Sequence, residues 1–187
     1  METNPLMDTS QSLGYAPAME RRPATPEEAR ALSNPLRLRI LRLCLNRALT
    51  NKELAERLGR DPGTVLHHVR VLVATRFLAP EADRRGARGA TERPYRATGK
   101  SWTLDVGDRP SAMLAMVDAF REELKEAADR DVKELSRLGV RLRPDALEGF
   151  ANRVEALVAD LAAADDPGGE PFSFFVGLHR RRDDQPR

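Results

Sequence analysis

Residues 61–70 read DPGTVLHHVR and set two histidines side by side, His67 and His68, in a chain that holds only three. Adjacent histidines suit three chemistries: a metal site, a general base, or contact with a polyanion. Ligand pairs on a helix favour spacings of three or four, because neighbours diverge by ~100°. His67 and His68 therefore do not converge on one ion, and His179 lies far along the chain. Cys44 is the only cysteine, which removes both a thiolate-rich metal site and an intrachain disulfide. There is no glycine-rich phosphate loop, no Gly-x-Ser-x-Gly elbow and no paired-carboxylate site beyond surface helix charge. No catalytic residue, metal or cofactor is expected, and the chain is not read as an enzyme. A polyanion remains.

Charge distribution points the same way. Residues 1–104 carry 18 Lys and Arg against 11 Asp and Glu, whereas residues 105–187 carry 13 against 18. A basic half beside an acidic half is what a nucleic-acid-binding segment joined to a different module looks like. Solvated charge with no partner is the alternative. Charged residues make up 32% and aromatics 5% of the 187 residues, a helix-rich profile. No apolar run approaches the ~20 residues needed to cross a bilayer. The first residues lack a basic start followed by an apolar core, so no secretory signal is read and a cytoplasmic location is expected.

The elements that must position the histidines are marked by repeated punctuation. Residues 1–24 are polar and aperiodic, and are expected to be a disordered tail. Thr25-Pro26-Glu27-Glu28 supplies a cap, a first-turn proline and a glutamate three residues on. Asn34-Pro35 repeats the cap and proline before the stripe Leu36, Ile40, Leu43, Cys44. Thr50 and Glu53 form a capping box ahead of Leu54, Ala55 and Leu58, and Gly59 ends that helix. Asp61-Pro62 then starts a fourth helix bearing Val65, Val69, Leu72 and Val73. FLAP and PYRAT read as strands of a hairpin whose tip, EADRRGARGATER, is rich in Arg and Gly. A helix with a small residue and a glycine stop, a brief turn and a second capped helix is a helix-turn-helix. The hairpin that follows makes it a winged one.

The stretches ALSNPLRLRILRLCL, TNKELAERLGRDPGTVLHHVRVL, RFLAP and YRATGKSW resemble the ArsR-like winged helix-turn-helix regulators of bacteria. The resemblance covers about residues 26–104. It implies a homodimeric repressor or activator that binds double-stranded operator DNA and often answers to an effector. Metal sensors of that family carry a Cys-x-Cys type pair or His and Asp ligands on terminal helices. Cys44 stands alone here, so metal sensing does not carry over. The expected fold class is mainly α: a winged helix-turn-helix over residues 25–104, then a helical dimerisation or sensing region over 105–187 that ends in a short strand.

Helical projection separates the histidines. With the apolar set of the fourth helix facing inward, His67 falls almost opposite the core, beside Gly63 and Thr64, with Arg70 near that face's edge. His67 is expected to reach a base edge or phosphate; a plain solvent-exposed histidine is the alternative. His68 is expected to flank the core, held by a hydrogen bond. Val71 either touches a thymine methyl or packs on a neighbouring element. Lys52 and Arg60 are expected at phosphates, and Arg84, Arg85, Arg88 and Arg93 line the wing; Arg96 and Lys100 are secondary candidates. Cys44 is expected in the core, and Tyr95 and Trp102 are expected to pack the hairpin onto the helices.

Leu104–Pro110 reads as a hinge. Met113, Val117, Phe120, Leu124, Ala128, Val132, Leu135 and Leu138 predict one long amphipathic helix over 110–138, packing in cis on one side and against a second copy on the other. A further helix is expected over 145–163. The alternation of Phe172, Phe174, Val176 and Leu178 predicts a strand over 172–180. An effector pocket between the C-terminal helices fits the resemblance, with no ligand named. The rival from another class is a winged-helix module that binds proteins rather than a specific DNA sequence.

Overall fold

The computed structural model describes residues 21–86, 89–107, 109–166 and 168–180. Most of the expected tail, residues 1–20, and the wing residue Arg88 lie outside the described residues.

Four short helices open the fold, each started by the cap its sequence supplies. Helix α1 (Pro26–Leu32) begins at a complete capping box between Thr25 and Glu28. Helix α2 (Pro35–Leu43) begins where Asn34 accepts from the Arg37 N–H. The two-residue strand β2 (Leu49–Thr50) leads into α3 (Asn51–Leu58), whose box joins Thr50 and Glu53. Helix α3 stops at Gly59, in left-handed backbone with φ +59°. The Gly59 N–H donates to the Glu56 carbonyl and the Arg60 N–H to the Ala55 carbonyl. That double closure is a Schellman stop, which satisfies the last carbonyls and turns the chain sharply. Helix α4 (Pro62–Ala74) starts after Asp61, whose carboxylate accepts from the Thr64 N–H at 2.9 Å.

One apolar cluster joins these helices. Leu54, Ala55 and Leu58 of α3 share it with Val65, Val69 and Leu72 of α4, with Ile40 and Leu41 of α2, and with Cys44 and Phe77. Cys44 is fully buried, and desolvation pushes its thiol up to about 12. It is a packing residue at neutral pH.

Strands β3 (Leu78–Pro80) and β6 (Pro94–Ala97) pair antiparallel, with Leu78 opposite Ala97 and Pro80 opposite Tyr95. Strand β2 adds to the other edge of β6. Toward the tip, β4 (Arg84–Arg85) and β5 (Thr91–Glu92) continue the hairpin. Tyr95 packs against the core, but Trp102 is 42% exposed on a single 3-10 turn, so only one of the two aromatics holds the hairpin down.

Residues 22–24, assigned from the sequence to the tail, pair instead with the far end of this domain. Strand β1 (Arg22–Pro23) runs parallel to β7 (Leu104–Asp105), inside the segment expected to be a hinge. One carboxylate explains the pairing. Glu28 accepts from both terminal nitrogens of Arg22 at 2.8 and 2.7 Å and from the Thr25 N–H at 2.9 Å, and lies 2.7 Å from Lys100 Nζ. Local patterning does not reveal such a hub, because its cations lie on both sides of the domain in sequence.

Helix α5 (Pro110–Glu126) ends twelve residues short of the expected 138. Ala127 adopts extended backbone, and its N–H closes the helix on the Glu123 and Leu124 carbonyls. Short helices depend on burying a face, and beyond this point Leu135 and Leu138 stay 70% and 84% exposed. Past the stop the chain makes only a single 3-10 turn, Asp129–Asp131. The face of α5 that packs in cis is Ala112, Ala115 and Ala119, against α1 and α2, while Met113, Leu114, Met116 and Val117 remain exposed. The buried Arg39 of α2 reaches Glu126 at 2.5 Å.

The expected strand over 172–180 is absent. A strand needs a ladder partner, and this segment instead meets helices. Ser173 Oγ accepts from Arg42 Nη2 at 2.6 Å and donates to Glu123 Oε2 at 2.7 Å, while Phe175 stacks on Phe120 with centroids 5.2 Å apart. These contacts lie within one compact unit, Arg22–Leu135 with the chain from Gly168. Helix α6 (Pro144–Ala163) belongs to the other unit and matches the expected 145–163. None of the helices described is long and apolar enough to cross a membrane.

The Glu28 hub has a stability signature with a definite sign. Its two cations hold its carboxyl well below the usual carboxylate range, with the Arg22 bonds the larger influence. The stabilisation is complete above the unfolded value of about 4.3 and is lost as pH falls through the folded value. Glu28→Gln is expected to cost about 1–3 kcal/mol in chemical denaturation at neutral pH, with the gap from the unaltered chain closing below about pH 4.

Candidate nucleic-acid interface

The inner face of α4, carrying Val65, Val69 and Leu72, has no solvent exposure. A helix so fixed has its other face fixed too. Gly63, Thr64, His67 and Arg70 are all exposed. Among the described residues, Arg70 and the turn residue Arg60 have no ion-pair partner. Asn51 Nδ2 of α3 donates to the Pro62 carbonyl at 2.9 Å, which ties the start of α3 to the start of α4. Gly63 has a structural reason besides a reading one: a Cβ there would sit 3.0 Å from the Asp61 oxygen that caps the helix.

The two histidines part as the projection expected. His67 is exposed and His68 half-buried, with their rings edge to face at 5.4 Å. His68 Nδ1 lies 3.5 Å from Arg37 Nη1. The rest of that guanidinium is committed to α1, with Nε donating to the Ala31 carbonyl at 2.5 Å and Nη2 to the Arg30 carbonyl at 2.6 Å. Arg37 thus caps the end of α1 and leaves its last edge for His68. Burial first, then the Arg37 and His67 charges, lower the His68 pKa. Val71 packs against the core, the second of its two expected roles.

The wing arginines divide. Arg84 Nη2 donates to both oxygens of Glu53 at 2.7 Å, and Arg93 Nε donates to Asp83 at 2.8 Å. Arg96 is paired with Glu81. Arg85 is exposed with no ion pair among the described residues. Lys52 is exposed and only loosely near Glu56, at 3.9 Å. Lys100 is not at the surface used by these cations: its Nζ donates to the Thr75 carbonyl at 2.7 Å and lies 4.9 Å from the centre of the Phe77 ring, besides its bridge to Glu28. Sequence reasoning missed these pairings, and all but the loose Lys52–Glu56 pair within α3 join residues at least ten positions apart. No group of three or more His, Cys, Asp or Glu among the described residues is arranged to hold a metal.

Helix, Schellman turn, capped helix and antiparallel hairpin follow one another along the chain. The domain is a winged helix-turn-helix. Residues 32–81 match the family described as a helix-turn-helix domain. Among solved structures, the chain is similar to the transcriptional repressor BigR from Xylella fastidiosa, at 17% identity over 53% of this chain and 83% of that one, with a TM-score of 0.33. It is also similar to the adhesin competence repressor AdcR from Streptococcus pyogenes, at 22% identity over 68% and 81% of the two chains, again with a TM-score of 0.33. No curated protein matches the chain.

The half-buried His68 is expected to make the stability of α4 acid-sensitive. The unfolded chain takes up a proton near the ordinary value of 6.5, before the folded chain does. Stability therefore falls as pH drops below that value and flattens again below the folded one. His68→Gln is expected to flatten this part of the stability–pH curve, read by thermal unfolding from pH 8 downward in steps of about one unit, a range set to span the histidine transition. An unchanged slope would remove His68 as its source.

Proposed function

We propose that the protein is a homodimeric, sequence-specific DNA-binding regulator of transcription of the ArsR-like kind, with the region after residue 105 serving dimerisation and response. One observation carries this reading. Helix α4 buries one face completely and presents Thr64, His67 and Arg70 on the other, following a turn that exposes Arg60. A major groove accepts one such helix, with its N-terminal residues at the base edges. Arg60, Arg85 and Lys52 flank α4 as phosphate contacts, which supply most of the affinity. His67, Thr64 and Arg70 supply the readout. Gly63 lets the helix start come close to the backbone of the duplex. Arg93 serves the wing through Asp83, and Arg88 at its tip is assigned to DNA from the sequence alone.

A helix-turn-helix that reads two half-sites needs a second copy, and α5 supplies the surface. Its small residues face α1 and α2, and its Met113, Leu114, Met116 and Val117 face outward. A dimer joined there would read two half-sites, for which helix-turn-helix dimers need a spacing of about 34–36 Å or a multiple of it.

Two experiments test these claims separately. In fluorescence anisotropy, the full chain is titrated with duplex from the promoter region beside its gene, with unrelated duplex as competitor. Promoter DNA is expected to bind at least ~10³-fold more tightly than unrelated DNA. His67→Ala and Arg70→Ala are each expected to narrow that ratio, by about 1–3 kcal/mol for a residue making a good base contact. Equal affinity for both duplexes would support the protein-interaction alternative. In sedimentation velocity, the unaltered chain is expected to run as a dimer and Met113→Glu/Val117→Glu as a monomer, since paired charges cannot be buried there without partners. A double variant that still dimerises would move the interface elsewhere.

A further inference from the structure

Strand geometry separates the two arginines at the base of the wing. Successive strand residues point to opposite faces, so Arg84 and Arg85 of β4 diverge. Arg84 turns to the body of the domain. Its Nη2 reaches both oxygens of Glu53 at 2.7 Å, and its Nε lies 3.8 Å from Oε2 of Glu92, its register partner on β5. Glu92 has the room to fold in because residue 86 is glycine: a Cβ there would come within 2.5 Å of Glu92 Oε1. Glu53 is itself committed, for its Oε2 accepts from the Thr50 N–H at 2.7 Å and so completes the cap of α3. One carboxylate starts the first helix of the helix-turn-helix and grips the wing.

We propose that Arg84 is a positioning residue for DNA binding rather than a phosphate contact, and that Glu53 acts with it. The bridge fixes the wing to α3 so that Arg85, on the opposite face of β4, is the arginine presented to a phosphate. This role rests on the DNA-binding reading above. An exposed ion pair does little for global stability. It matters here because β4 and β5 are two residues each and have no other sheet beside them. Competition also disfavours Arg84 as a direct contact. A guanidinium drawn from Glu53 to a phosphate would leave that carboxylate uncompensated beside a polyanion, whereas Arg85 gives up no acid.

Salt dependence tells the two roles apart, because each phosphate contact adds ~0.9 to the slope of log K against log salt. Arg84→Ala, Glu53→Gln and Arg85→Ala are compared with the unaltered full chain on the promoter duplex over a salt series. Glutamine can close a capping box as glutamate does, so Glu53→Gln removes the charge while keeping the start of α3. Arg85→Ala is expected to lose about one contact's worth of slope, ~0.9. Arg84→Ala and Glu53→Gln are each expected to bind about three- to fivefold more weakly, with slopes unchanged. The double variant Arg84→Ala/Glu53→Gln is expected to be no weaker than either single one. The sign for Glu53→Gln is decisive: removing an acid near DNA should strengthen binding unless that acid holds something in place. A slope loss in Arg84→Ala like that of Arg85→Ala, tighter binding by Glu53→Gln, or unchanged affinity in both would overturn the proposal. A full chain that binds no duplex would sink the DNA reading and this role together; one that binds, with Arg84→Ala losing slope, would sink only the role of Arg84.

Discussion

The burial of Val65, Val69 and Leu72 is the constraint from which the rest follows. A helix turns ~100° per residue, so three buried positions leave no freedom in where Thr64, His67 and Arg70 point. The stop at Gly59 and the cap at Asp61 fix where that helix begins, and Asn51 pins its first turn to α3. Each side chain that could read DNA is therefore held by contacts it does not itself make. Such a site is as precise as its core, and defects in packing reach it without touching its surface.

Charge on the basic half is less available than its sum implies. Arg22 and Lys100 are spent on Glu28, Arg37 on the end of α1, Arg39 on Glu126, Arg84 on Glu53, Arg93 on Asp83 and Arg96 on Glu81. These pairs organise the domain. Arg60, Arg70 and Arg85 face water at the turn, the fourth helix and the wing, as Arg30, Arg47, Arg57 and Arg76 do elsewhere on the domain.

What was legible in the sequence was local. Caps at Thr25, Asn34, Thr50 and Asp61, and the stop at Gly59, involve residues within a few positions of each other, and all five take the geometry their types imply. The split between His67 and His68 needed only helical periodicity and one known buried face. What was not legible depended on partners from elsewhere. Helix α5 has two faces at helical spacing, one of alanines and one of larger apolar residues, and periodicity alone cannot say which one the domain covers. The end of α5 at Glu126 was obscured because Val132, Leu135 and Leu138 keep the helical spacing, although Leu135 and Leu138 stay exposed. Alternation over 172–178 looked like a strand, but alternation selects a strand only where a sheet edge is at hand. Lys100 read as a surface cation because its acid, Glu28, lies some seventy positions earlier.

The choice of face on α5 has a mechanical consequence. Alanines inward let α5 lie close along α2, while its larger apolar side chains stay in water. Burying such surface is worth about 25 cal/mol per Å², and the domain's own core leaves that contribution unused on this face. The same helix is tied to α2 at its far end, through Arg39 to Glu126 and through Ser173 between Arg42 and Glu123. Helix α2 in turn packs on α4. Arg37, in the first turn of α2, reaches His68 on α4 directly. Whatever covers the outer face of α5 therefore presses on a helix with two polar ties to α2, and α2 touches the helix that faces outward with His67. Well-packed elements transmit small displacements rather than absorbing them. The domain thus carries a continuous physical route from its exposed apolar helix to its exposed polar one, and that route runs through α2.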